Sequence, residues 1–96
     1  WNQFHSPKNL SMALVGEVGE LVEHFQWLTE EQSENLSEED RAEIALELAD
    51  IFIYLIRLSD KLDIDLVDAA EDKLEINKKK YPAHKVRGSA KKYTQY

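Results

Sequence analysis

Two acidic tetrapeptides, Glu17-Val18-Gly19-Glu20 and Glu47-Leu48-Ala49-Asp50, stand out as residues able to do chemistry. In each, the carboxylates are three residues apart, so on a helix turning about 100° per residue they project from one face, one turn apart. That is the spacing of a metal site. With Glu17 at the origin of a helical wheel, Leu10, Ala13, Leu14, Glu20, Leu21, His24 and Leu28 fall within about 60° of it. Around Glu47 the same arc of about 60° holds Asp50, Ile51, Tyr54 and Leu58. Most Glu-x-x-Glu pairs lie on a solvated or salt-bridged helix face. Here four acids border apolar stripes, where an unpaired carboxylate is costly and four cannot all stay ionised without a cation. Oxygen ligands favour a hard divalent ion, magnesium or manganese. Glu43 is one turn before Glu47 and can extend the shell, whereas Glu23 points about 120° away from Glu17, toward solvent.

Other side chains say less. His24 shares the acidic stripe and reads first as a core or interface histidine, with orientation of a carboxylate as its alternative. No histidine follows a glutamate by three residues, which weighs against a di-iron bundle. There is no phosphate-binding glycine loop, zinc spacing or nucleophile elbow. Trp27, placed on the first helix about 80° from Glu17, can line a pocket beside the acids, where a flat aromatic wall suits a nucleobase.

The elements that must position these residues are helical. Ser6-Pro7 reads as an N-cap with proline at the first helical position. A first helix is predicted over 7–29, with a second apolar arc of Val15, Val18, Val22 and Phe25 that calls for an additional packing partner. Gly16 and Gly19 cost about 1 kcal/mol each against alanine in a helix, for which a close helix crossing is a reasonable purpose. Residues 30–37 read as a polar loop. A second helix starts after Ser37, in a capping-box pattern with Asp40, and keeps its period through Ile44, Leu48, Ile51, Phe52, Leu55, Leu58 and Leu62, ending near Lys61. Leu62-Asp63-Ile64 connects to a third helix, capped by Asp65 and ending near Lys80 before Tyr81-Pro82. Along it Leu66, Ala70, Lys73, Leu74, Asn77 and Tyr81 share a face, and Lys73 with Asn77 forms a candidate polar contact pair. The pattern predicts an all-α bundle of about three main helices, with no strand, and residues 83–96 as a mostly irregular basic tail of a single domain spanning 1–96.

Ninety-six residues, 43% apolar and 32% charged, suit one small helical domain that gains from self-association. No apolar run reaches the roughly 18 residues of a membrane span, no secretory signal is visible, and the lack of cysteine fits a cytoplasmic protein. Residues 1–72 carry 18 acids and 4 Lys/Arg, while residues 73–96 carry 8 Lys/Arg and one acid. An acidic body with a basic end suits a ligand that brings both metal and phosphate, and it disfavours a long polyanion such as nucleic acid. Lys78, Lys79 and Lys80 also read simply as a solvated helix end favoured by the helix dipole. The chain opens on Trp1 without methionine, so the native N-terminus is expected to be trimmed or missing.

The stretch from Asn9 to Leu21, then Phe25-Gln26-Trp27, then Glu47 to Leu55, resembles the MazG-like all-α nucleoside triphosphate pyrophosphohydrolases. Lys80-Tyr81-Pro82 and Arg87-Gly88-Ser89-Ala90-Lys91-Lys92-Tyr93-Thr94 resemble the dCTP pyrophosphatase branch. The resemblance implies Mg²⁺-dependent hydrolysis (with Mn²⁺ as an alternative ion) of a nucleoside triphosphate, dCTP or a related deoxynucleotide, to the monophosphate and pyrophosphate. It implies metal ligation by Glu17, Glu20, Glu47 and Asp50, with Glu47 and Glu20 serving catalysis as well. Trp1 and Trp27 would enclose the base, Tyr54, Lys73 and Asn77 would contact sugar or phosphates, and Arg87, Lys91 and Lys92 would reach phosphates from a neighbouring subunit. It also implies a homodimer or homotetramer with pockets near subunit interfaces, and a further helix expected before Trp1, whose base contacts are not assigned to residues of this sequence. Two other classes compete: a non-catalytic helical module that binds metal or nucleotide, and phosphotransfer through His24.

Overall fold

The computed structural model describes residues 5–80, which form four helices and, among the described residues, no strand: α1 (Pro7–Glu23), α2 (Glu30–Glu34), α3 (Glu38–Lys61) and α4 (Leu66–Lys80). The chain divides into two compact units, one ending at Asp63 and the other starting at Ile64. Trp1 and the predicted tail of 83–96, with the stop at Tyr81-Pro82, lie outside the described residues.

In the first unit α1 and α3 pack against each other. The starts follow the local chemistry of the sequence. The Ser6 hydroxyl accepts the Asn9 N–H at 3.2 Å, and Pro7 opens the helix where its missing N–H costs nothing. The Ser37 hydroxyl accepts the Asp40 N–H at 3.1 Å, and Glu38, Glu39 and Asp40 place negative charge at the positive end of α3. Among the described residues, Leu10 on α1 and Ile44 on α3 are the most covered side chains, at 2% and 7% exposure. Half-buried positions continue from them as Ala13, Leu14, Glu17, Leu21 and His24 on α1, and Glu47, Ile51, Tyr54, Leu55 and Leu58 on α3. Glu17 and Glu47 therefore occupy the packed stripes, as the periodicity predicts.

The first helix is shorter than predicted. It stops at Glu23 with His24 as its C-cap, and the chain tightens into turns in which Phe25 N–H bonds Val22 O and Leu28 N–H bonds Phe25 O, each at 2.9 Å. Thr29 is extended at φ −75°, ψ 166°, so no helix can run through it. Its hydroxyl accepts the Gln32 N–H at 3.1 Å while the Gln32 carbonyl oxygen accepts the Thr29 N–H at 2.9 Å. This reciprocal capping box nucleates α2 inside the stretch predicted as a loop. Gly16 and Gly19 make no close crossing among the described residues: a Cβ at either would meet nothing within 4 Å.

Helix α3 ends at Lys61 with Leu62 as its C-cap, and Asp63 takes the left-handed conformation, φ 54°, that a short polar residue tolerates better than most. In the second unit the Asp65 carboxylate accepts the Asp68 N–H at 3.0 Å and starts α4. Lys78 pairs with exposed Glu75 at 3.2 Å, a contact of little energetic weight. Among the described residues no helix is long and apolar enough to cross a membrane.

Candidate functional site

The acids of α1 and α3 meet where the two helices pack. One carboxylate oxygen from each of Glu17, Glu20 and Glu47 lies within 4.8 Å of the others. Oxygens on opposite sides of a magnesium ion stand about 4 Å apart, so the gathered set has the scale of one hard cation. Helix spacing brings Glu17 and Glu20 to the same face, and helix packing brings Glu47 to them. Glu17 Oε2 and Glu47 Oε2 are both buried without a hydrogen-bond partner. Buried carboxylate oxygens normally find a donor, and two orphans in one cluster are the pattern left when the natural partner is a cation. The cluster can thus hold a metal ion.

Electrostatics tell the same story. The Glu17 carboxyl is raised above its ordinary 4.5, first by loss of water around it, then by the negative charges of Glu20 and Asp50, by the proximity of Glu20 as an acceptor for its protonated form, and by the charge of Glu47. Glu47 is raised for similar reasons, first desolvation and then Glu20, while His24 pulls it back down and Asp50 adds a further push upward. Asp50 is therefore close enough to be felt by both, yet it is exposed and stands outside the three oxygens gathered within 4.8 Å. His24 Nε2 lies 3.9 Å from Glu47 Oε1, with both side chains about three-quarters covered, at 25% and 21% exposure.

The remaining residues singled out in the sequence are distributed as follows. Tyr54 is half-buried on α3, two turns beyond Glu47. Trp27 is 85% exposed in the turn after α1, so its position no longer follows from a helical wheel; an uninterrupted helix would have been needed for that. Lys73 and Asn77 lie one turn apart on α4 in the second unit, the first exposed and the second half-buried. Trp1, Arg87, Lys91 and Lys92 fall outside the described residues. The contact of His24 with Glu47 was open to sequence reasoning through the shared stripe, whereas the turn that carries Trp27 had its signal in Thr29-Glu30-Glu31-Gln32.

The chain is 47% identical to dCTP pyrophosphatase 1 of Homo sapiens over 97 residues, which cover 99% of this chain and 57% of the human protein. It is 49% identical to the Bos taurus protein of that name and 48% identical to that of Mus musculus, each over 96 residues, or 98% of this chain and 57% and 56% of theirs. The chain thus spans little more than half the length of the curated relatives it matches. The profile of the MazG-like family covers residues 13–95, which include both acidic tetrapeptides and the basic segment after α4. Paired acidic helices in an all-α fold, matched along nearly the whole chain, show that this protein belongs to the MazG-like family.

Proposed function

We propose that the protein is a divalent-cation-dependent nucleotide pyrophosphohydrolase that converts dCTP or a related deoxynucleoside triphosphate to the monophosphate and pyrophosphate, a cytoplasmic nucleotide-pool house-cleaning activity. The observation that carries this reading is the cluster of Glu17, Glu20 and Glu47 with its two orphaned oxygens, in a chain close to named dCTP pyrophosphatases.

Glu17, Glu20 and Glu47 would hold the cation, with Asp50 completing the shell from the next turn of α3. Mg²⁺ or Mn²⁺ bound there supplies positive charge that offsets the carboxylates and neutralises phosphate oxygens. Glu47, assisted by Glu20, orients a water toward the α-phosphorus and accepts its proton. A bond forms between the water oxygen and the α-phosphorus, the bond from that phosphorus to the α–β bridging oxygen breaks, and pyrophosphate departs. Exposed Trp27 offers a stacking face for the base, with Trp1 as its companion. Tyr54, Lys73 and Asn77 are assigned to sugar and phosphates, and Arg87, Lys91 and Lys92 to phosphates across a subunit boundary.

The functional unit is read as a homodimer or homotetramer. Val15, Val18 and Val22 on α1 and Leu48, Phe52 and Ile56 on α3 are all exposed, too much apolar surface to stand in water.

A panel of nucleoside triphosphates with Mg²⁺, with products separated and identified, tests the proposal. Pyrophosphate and monophosphate are expected, fastest from dCTP or a near relative. Orthophosphate in place of pyrophosphate, or saturable binding without turnover, overturns it.

A further inference from the structure

The two oxygens of Glu47 have unlike surroundings. Oε1 faces His24 Nε2 at 3.9 Å, and Oε2 is buried with no partner. The terminal torsion of a glutamate is broad and roughly two-fold, so an isolated carboxylate has no reason to keep one oxygen on one side. His24 is the group that faces Oε1. It is the C-cap of α1, with φ −69° and ψ −22°, and its backbone N–H bonds the carbonyls of Leu21 and Val22, which fixes where the imidazole leaves the helix. The 3.9 Å separation exceeds a hydrogen bond, so a positioning role requires the imidazole to close on Oε1 and donate its Nε2–H there. His24 does not itself belong to the cluster gathered within 4.8 Å, so direct ligation is not its part.

Resting on the cation reading above, we infer that His24 is a positioning residue: it holds Oε1 of Glu47 so that Oε2 is turned into the acidic cluster as a ligand. Partners that orient a metal ligand typically contribute 10- to 100-fold to metal affinity or activity.

The test is Mn²⁺ binding to the nucleotide-free chain, followed by titration calorimetry and by the electron paramagnetic resonance signal of free Mn²⁺. It compares the parent with His24→Leu, which keeps an apolar body without a donor, and His24→Gln, which restores an N–H near the place of Nε2. His24→Leu is expected to bind Mn²⁺ about 10-fold more weakly or worse, with His24→Gln recovering most of the loss and both keeping the parent's helical circular dichroism. In turnover, kcat should fall for the leucine variant while the nucleotide KM stays nearly unchanged. Leucine binding Mn²⁺ like the parent overturns the inference while leaving the cation site standing, and glutamine failing as badly as leucine overturns it by reducing His24 to a matter of shape. A parent that binds no Mn²⁺ removes the cation reading and this inference together.

Discussion

Glu47 is where burial, charge and proposed chemistry coincide. Glu47→Gln removes one anion and one proton acceptor with almost no change of shape, so activity should fall by about 10²-fold or more, the scale of a lost general base. The same substitution should stabilise the cation-free protein at neutral pH. The sign follows from the direction of the shift. A carboxyl raised above 4.5 in the folded state favours folding when protonated, and that advantage is lost as pH rises through the folded value. Thermal melts without divalent ions should therefore show Glu47→Gln above the parent at pH 7, with the gap closing below about pH 4.5, the ordinary carboxyl value. Added Mn²⁺ should raise the parent's melting temperature more than the variant's. The acids were legible in the sequence because their angles on the helix coincide with the leucines. What angles alone do not give is reach: Glu17, Glu20 and Glu47 converge, and Asp50 stays exposed beside them.

At the level of elements, the starts of α1, α3 and α4 were readable because Ser6, Ser37 and Asp65 each cap through a side-chain oxygen to a nearby N–H. The end of α1 was not, since His24 to Leu28 contains no glycine or proline to stop a helix. Hydrophobic period carried the reading onward to Thr29, where the capping box of Thr29 and Gln32 forces a restart. Thr29→Ala should destabilise the first unit by about 1 kcal/mol, measured by urea denaturation, because it removes one side of that reciprocal cap. Its effect on nucleotide KM should exceed that of a surface substitution, as Trp27 sits in the turn that Thr29 closes.

For the whole molecule, two covered stripes account for the contact of α1 with α3, while a second set of apolar side chains stays in water, Val15 at 72% and Phe52 at 54% exposure. The sequence signalled this through the adjoining valine arc, though not which surface it meets. Val15→Glu adds a charge to that arc away from the acidic cluster, and sedimentation velocity should show it shifting the protein toward the monomer. Unchanged sedimentation would free the arc from any role in assembly. The proposed reaction itself is tested most directly by running it on dCTP with Mg²⁺ in ¹⁸O-labelled water and weighing both products. Attack at the α-phosphorus predicts the label in dCMP and none in pyrophosphate, with turnover lost in Glu47→Gln. Label in pyrophosphate, or release of orthophosphate, would contradict the account.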